Sequence, residues 1–419
     1  MSRSCWIVAI VFLTGCTFYP DTTQHSFQII EENGVPVALT TGGPKYTDEL
    51  FTYEKVMVLD TDQSEETLLY RPTQFMADDA GNMYINDQGI GSILVFDATG
   101  RYSHLIGRMG SGPGESIYGQ IQLIHDGIIQ FYGIKERRTT RFNPDGTIVD
   151  ITTMPPRIDL LGNTGFIILP DYRQVILTNE TEISDNEAEK NLKSASGGNQ
   201  RWGAIILSTD GEKIAEVHTP WIRISEMMDV NVGGTTYASP IQIAFGPLPT
   251  AIYHHTHGIV LSLSEQPILA IYDPAGRKTR MIRIELDPEP VTAADISRVR
   301  QTLLENNEQS EKPMDWQSFA DHYPFADEKA LWGRIEIDAE GYFWLDLSLP
   351  PETEEGNIHS YMVLSPEGEY LGTTSRPYDP SASMSGGRLY ILEEDRETGE
   401  ILPTVYRINP AVRGLQYPN

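Results

Sequence analysis

The chain has 419 residues, of which 40% are hydrophobic and 21% are charged, a composition typical of a globular protein. That length suits one large repeat domain or two to three ordinary domains. The 59 acidic residues outnumber the 31 lysines and arginines, for a formal net charge of −28. Such a surface repels phosphodiester backbones, so we expect no nucleic-acid partner.

The first 16 residues are typical of a targeting segment. Their apolar run, residues 6–13, is shorter than the roughly 20 residues that a membrane-spanning helix needs. The run ends in Leu13-Thr14-Gly15-Cys16, which resembles the lipobox of bacterial lipoproteins. The resemblance implies that Cys16 becomes the acylated first residue and that this lipid is the only membrane attachment. Since Thr17 follows in place of a retention-type Asp, we expect the outer membrane of the bacterial envelope.

Cysteine usage and composition define the remaining boundaries. Cys5 and Cys16 are the two cysteines of the chain, so we expect neither disulfides nor thiol catalysis in the folded body. Residues 17–45 are polar with scattered Gly and Pro, which predicts a flexible, extended tether. Residues 46–412 are predicted to form a single domain, with 413–419 as a tail.

Short turns recur along the chain at a fixed spacing. Gly81 and Gly127 are 46 positions apart, as are Gly341 and Gly387. Recurrence at 40 to 50 residues, with four apolar runs per unit, indicates the blades of a β-propeller, and six units are present. A β-sandwich has similar hairpins but no reason to return to the same register.

The sixth unit lacks a fourth strand, and an unassigned strand-like run, residues 54–59, precedes the first unit. We therefore expect 54–59 to pair with 404–408, which closes the ring and removes two sheet edges. The prediction is an all-β fold: a six-bladed β-propeller of four-stranded antiparallel blades, closed by an N-terminal strand. One inserted helix is predicted at about 290–307, with Thr292 as N-cap and Asp295 completing a capping box.

Two segments support a family resemblance. Gly81-Asn82-Met83-Tyr84 and the nearby Val95-Phe96-Asp97 resemble NHL-type repeats. The Gly-rich run at 106–115 is similar to a loop of the bacterial six-bladed β-propeller lipoproteins, and we interpret it as a link between blades rather than a phosphate loop. The resemblance implies a six-bladed propeller over about residues 45–412 with no general catalytic signature.

The predicted topology separates short turns from long loops. Turns between the first and second and between the third and fourth strands lie on one face, and all of them are short. The long segments fall on the other face: 60–71, 107–118, 179–201, 218–249, 286–331, 347–359 and the smaller 393–403. Since binding sites are built from loops on a rigid scaffold, we predict a monomeric binding module that presents this loop-rich face to a peptide, protein or glycan.

Basic and aromatic residues on the predicted loop-rich face could hold a carboxylate, a sulfate or a glycan. Scattered salt bridges at the rim are the alternative interpretation of the same residues. The candidates are Arg71, Arg108, Arg137, Arg157, Trp221, Tyr237, Trp332 and Arg334.

A second function class is an enzyme of the lactonase or lyase kind with Ca²⁺ in the central channel. Its candidate ligands at strand exits are Asp87, Glu115, Asn163 and Asp346, which offer the oxygen atoms that Ca²⁺ prefers. No Ser/His/Asp arrangement is legible, so catalytic residues stay unassigned and the binding module, without a cofactor, is the favoured prediction.

His254, His255 and His257 could bind a transition metal, but no further ligands in the neighbouring sequence complete a set. The favoured interpretation is the polar edge of a hairpin.

Overall fold

Three strands precede the first blade: β1 (Ser26–Glu32), β2 (Val35–Thr41) and β3 (Phe51–Val58). They belong to a computed structural model that describes residues 24–62, 64–154, 163–181, 199–232, 234–305, 314–348, 358–395 and 398–418. The predicted signal segment and lipobox, including Cys16, lie outside the described residues.

The described residues form six blades, in agreement with the predicted fold class. Blade one consists of β4 (Pro72–Ala77), β5 (Met83–Asp87), β6 (Ser92–Phe96) and β7 (Tyr102–Ile106). Blade two consists of β8 (Gly119–His125), β9 (Ile128–Gly133), β10 (Arg138–Phe142) and β11 (Ile148–Thr153). Blade three consists of β12 (Asn163–Ile168), β13 (Gln174–Thr181), β14 (Asn199–Leu207) and β15 (Lys213–His218).

Between blades three and four lie the short β16 (Ile222–Arg223) and a hairpin of β17 (Ser225–Val232) and β18 (Thr235–Gln242). Blade four consists of β19 (Pro249–His254), β20 (Gly258–Leu263), β21 (Ile268–Tyr272) and β22 (Lys278–Ile284). Blade five consists of β23 (Ile335–Ile337), β24 (Phe343–Asp346), β25 (Ile358–Leu364) and β26 (Tyr370–Pro377). Blade six consists of β27 (Ser383–Ser385), β28 (Arg388–Glu394), β29 (Ile401–Pro410) and the N-terminal β3.

The predicted ring closure is confirmed. Strand β3 pairs antiparallel with β29, and the register places Val58 opposite Thr404 and Tyr53 opposite Ile408. The closing strand also packs sideways on blade five, because the ring of the buried Phe51 stacks on that of Trp344 with centroids 5.4 Å apart. Both termini of the propeller are thereby fixed in one sheet.

The prediction of an extended tether is wrong for residues 24–45. Strands β1 and β2 form a hairpin, and β2 pairs in parallel with β22, so the sheet of blade four has six strands. The cause is an apolar stripe within the polar segment: Val37 and Ala38 are fully buried, and Ala38 packs in the core between blades four and five. The outer edge of blade four is thus covered by the hairpin.

The insertion between blades four and five contains the predicted helix, α1 (Ala293–Glu305). Its capping box is present: Thr292 N donates to Asp295 Oδ2 at 3.0 Å, and Asp295 N donates to Thr292 Oγ1 at 3.2 Å. A second helix, α2 (Trp316–Asp321), was not predicted, since six residues are too few for a helical period to be recognised. Val299 of α1 is buried against the link that follows blade three.

We predict that the closing strand depends on Phe51. Replacing Phe51 by Ala removes a fully buried ring and is expected to lower the free energy of unfolding by about 3–5 kcal/mol, measured by urea denaturation. The matched control is Ile29→Ala on the exposed face of β1, where a change within about 0.5 kcal/mol is expected. Equal effects of the two substitutions would contradict the packing described for β3.

Candidate functional site

A cavity of about 720 Å³ lies between the first strands of the six blades. Each blade contributes at least one apolar side chain to its wall, because the first strand of a blade is the one nearest the central channel. One representative from each blade, in chain order, is Met76, Ile124, Ile167, Ile252, Ile335 and Met384. The volume falls in the range of ordinary small-ligand sites.

The two ends of the cavity differ in chemistry. Leu248 and Arg334 directly precede first strands, so they lie at the end that opens toward the long loops. His255 begins the first-to-second turn of blade four, and Ser385 directly precedes that of blade six, so they lie at the end surrounded by short turns. A ligand entering from the loop side therefore meets a guanidinium first and imidazoles last.

Glu336 brings a carboxylate into the cavity wall. Its Oε2 accepts a hydrogen bond from Arg376 Nη2 at 2.5 Å, and Arg376 is fully buried with its guanidinium 4.1 Å above the ring of Tyr361. Glu336 Oε1 is buried and has no hydrogen-bond partner among the described residues. One oxygen of this carboxylate is thus held by the scaffold, and the other is buried without a hydrogen bond.

A polar cluster surrounds this ion pair in blade five. His359 Nδ1 donates to Asp346 Oδ2 at 2.9 Å, and the imidazole stacks on Tyr378 with ring centroids 3.7 Å apart. Burial raises the pKa of the Tyr378 phenol, while the positive charge of Arg334 opposes that shift and the carboxylate of Asp346 adds to it. Two sequence-predicted residues, Arg334 and Asp346, are thereby brought to one corner of the cavity mouth.

Arg334 differs from most arginines of the propeller. Its guanidinium is exposed and donates to the carbonyl oxygen of Pro380, and no ion pair within the described part of the chain includes it. Its positive charge is thus not neutralised by a carboxylate of the described residues. It is therefore the residue of the cavity mouth best suited to an anionic ligand group.

The other predicted ligand-binding residues are not brought together at the cavity. Arg108 pairs with Glu115 at 2.6 Å, and Trp221 is covered by the guanidinium of Arg201 at 4.6 Å. Trp332 is fully buried in the core between blades four and five, where its Nε1 donates to Ser262 Oγ, so its indole contributes nothing to the surface.

Three more residues of that set lie elsewhere. Arg71 is exposed beside β4, and Tyr237 is exposed on the hairpin between blades three and four. Arg137 is half-buried and lies 3.5 Å from Met154 Sδ, measured from its Nη2. Arg157 lies outside the described residues.

The predicted calcium ligands are engaged at separate places. Asp87 accepts hydrogen bonds from the backbone N–H groups of Tyr70, Arg71 and Gly89, so its carboxylate closes the link before blade one. Asp346 is occupied by His359, as described above.

Glu115 accepts from Gly112 N at 2.7 Å in addition to Arg108. These two hydrogen bonds, with the backbone one the stronger cause, hold the pKa of Glu115 below its usual value. The side chain of Asn163 lies outside the described residues. None of the other three predicted ligands lines the cavity.

Sequence reasoning missed two features of the cavity. The buried Arg376 partner of Glu336 lies 40 residues away and carries no local signal. The imidazole of His125 stacks on that of His255, with centroids 4.1 Å apart. The repeat could have revealed this pair, because both residues adjoin a first-to-second turn and every such turn faces the same end of the axis.

No helix within the described ranges is long and apolar enough to cross a membrane.

A comparison with models of known protein families supports the fold. A family model, DUF5128, described as a 6-bladed beta-propeller, matches residues 43–130. A search among curated proteins finds no match. The chain is thus a six-bladed β-propeller.

Solved structures similar to this chain include a putative exported protein from Bacteroides fragilis, at 10% identity with a TM-score of 0.49, covering 90% of this chain and 100% of the other. A member of the duf4221 family from Bacteroides vulgatus is 14% identical with a TM-score of 0.47, covering 87% and 99%. Virginiamycin B lyase from Staphylococcus aureus is 11% identical with a TM-score of 0.36, covering 86% and 99%. Likeness at this level says nothing of ligand or activity.

We predict that the ion pair in the cavity wall is strongly coupled. Arg376→Met leaves the Glu336 carboxylate buried without its partner and is expected to cost about 3–5 kcal/mol in the free energy of unfolding. The double variant Arg376→Met/Glu336→Leu removes both charges and is expected to recover most of that loss. Additive effects of the single substitutions, measured by urea denaturation, would contradict the coupling.

Proposed function

We propose that the protein is a binding module that receives one end of a peptide, protein or glycan ligand in the central cavity, from the loop-rich face. The observation that carries the proposal is the cavity itself, with its apolar wall and the exposed Arg334 guanidinium at its mouth. An apolar wall with a few convergent polar groups is the usual composition of a ligand site.

The polar groups at the mouth favour a ligand with two complementary groups. Arg334 offers donors to a carboxylate or sulfate. The buried, unpaired Glu336 Oε1 would accept from a hydroxyl or an N–H once its side chain turns toward the cavity. The two residues are separated by one position on an extended chain, so their Cα atoms lie roughly 7 Å apart. This spacing suits an anionic group and a neighbouring donor on one ligand, with its apolar part farther inside.

The channel-metal enzyme is the alternative, and the arrangement of its candidate ligands does not favour it. Asp87 is saturated by backbone donors, Glu115 by Arg108 and Gly112, and Asp346 by His359. Moving any of these carboxylates to a shared ion requires breaking charge-assisted hydrogen bonds. We expect Ca²⁺ added to metal-free protein not to shift the thermal unfolding midpoint.

We further propose that the module works at a bacterial envelope, anchored through an acylated Cys16. The support is the lipobox-like Leu13-Thr14-Gly15-Cys16 and the acidic composition, which suits an exposed aqueous surface. The outer membrane is the proposed location because Thr17 follows the cysteine.

The direct test uses 1-anilinonaphthalene-8-sulfonate, which combines apolar rings with a permanent anion. We expect saturable fluorescence enhancement with about one site per chain. Arg334→Gln is expected to weaken binding about 10-fold to 100-fold, because a charge-assisted hydrogen bond contributes about 1.5–3 kcal/mol.

The matched control is Arg108→Gln, which removes an equally exposed guanidinium that is paired with Glu115 and does not line the cavity. Its affinity for the dye should equal that of the unaltered protein. Loss of affinity in both variants, or in neither, would contradict a specific role of Arg334.

A further inference from the structure

A cluster of imidazoles lies at the end of the cavity opposite Arg334. His125 ends the first strand of blade two, and His255 follows the first strand of blade four. Their rings stack with centroids 4.1 Å apart, and the ring of His254 lies 4.3 Å from that of His255. Three imidazoles from two blades therefore meet at the short-turn mouth, where His254 and His255 line the cavity.

Two of these imidazoles keep a ring nitrogen that no hydrogen bond to the described residues uses. His254 is 7% exposed; its Nδ1 accepts from Thr256 N at 3.4 Å, but its buried Nε2 has no hydrogen-bond partner in the described part of the chain. His255 makes ring contacts, and none of the hydrogen bonds among the described residues involves it. By contrast, His257 uses both nitrogens, on Gly341 O at 2.8 Å and on Arg280 Nη2 at 3.2 Å. A buried nitrogen without a partner is costly, and an ion at this mouth would supply the missing partner of His254.

Acidic side chains stand beside the imidazoles. Asp126 Oδ2 lies 3.3 Å from His125 Nε2. The negative charges of Asp79 and Asp126 both raise the pKa of His255, against the larger effect of burial. Burial, with the neighbouring imidazoles, lowers the pKa of His254 to about 3, and burial also lowers that of His255.

We propose that this mouth binds a divalent transition-metal ion of the Zn²⁺ type, with His125, His254 and His255 as nitrogen ligands and Asp79 or Asp126 as an oxygen ligand. Mixed imidazole and carboxylate sets suit Zn²⁺ and its neighbours better than Ca²⁺ or Mg²⁺. Coordination requires His125 and His255 to turn their nitrogens toward one point. Apart from Asp126, itself a candidate ligand, no hydrogen bond or ion pair among the described residues opposes that rotation.

A second group of possible metal ligands lies in blade three. Within the described ranges, the group whose ligand atoms all lie within 4.8 Å of one another is Glu180, Glu216 and His218, on the outer strands of blade three. The guanidinium of Arg201 lies 2.7 Å from Glu180 Oε2 and 4.0 Å from Glu216 Oε1. Arg201 and Lys213 already pair with the carboxylates of that group, so we expect no metal there.

The test is a calorimetric titration of untagged, metal-free protein with ZnCl₂ at pH 7.5, with Co²⁺ absorption as a spectroscopic check. We expect one ion per chain and a raised thermal unfolding midpoint. His125→Ala and His255→Ala are each expected to weaken binding about tenfold or more. The exposed His322→Ala is the matched control, and its affinity should not change.

Two further variants distinguish the two clusters and control for loss of folding. His218→Ala reports on the competing cluster, and we expect it to bind Zn²⁺ normally. His255→Gln keeps a polar side chain of similar size, and circular dichroism without metal verifies that it folds. Absence of Zn²⁺ binding, or binding that is lost in His218→Ala but retained in His125→Ala and His255→Gln, would overturn the proposal.

Discussion

The pairing of β3 with β29 is the constraint on which the rest of the structure depends. A propeller blade cannot bury both of its faces alone, so each sheet needs neighbours on two sides. The pairing joins residues near the two ends of the described chain and packs Phe51 against Trp344 of the adjacent blade. Once the ring is closed, six first strands face one axis, and the cavity follows from that geometry.

The closed ring also explains why the two mouths of the cavity differ. At one end the strands are joined by short hairpin turns. Residues beside these turns lie near the axis, so His125 of blade two contacts His255 of blade four. The other end receives the long loops and interblade links. There the wall carries Glu336, held by a fully buried Arg376, and the exposed Arg334. The two mouths of one channel thus differ in their chemistry.

Local chemistry allowed much of this architecture to be predicted from the sequence. Turn residues such as Asp97 and Gly100 repeat in register, and Gly100 N donates to Asp97 O as the turn requires. The hairpin β1–β2 was not predicted, because the strand that pairs with it, β22, lies some 240 residues away along the chain. No local sequence pattern specifies such a pairing. The site was less predictable still. The two arginines Arg334 and Arg376 look alike in sequence, yet one is exposed and the other is fully buried, a difference that only tertiary packing decides.

The central claim is that the ligand enters the channel between the first strands, and filling that channel tests it most directly. Ile252 lines the middle of the cavity and is half-buried, so a larger side chain can extend into open space there. The account predicts that Ile252→Trp abolishes saturable binding of 1-anilinonaphthalene-8-sulfonate while the thermal unfolding midpoint stays close to that of the unaltered protein. Undiminished binding by a folded Ile252→Trp variant would contradict the account.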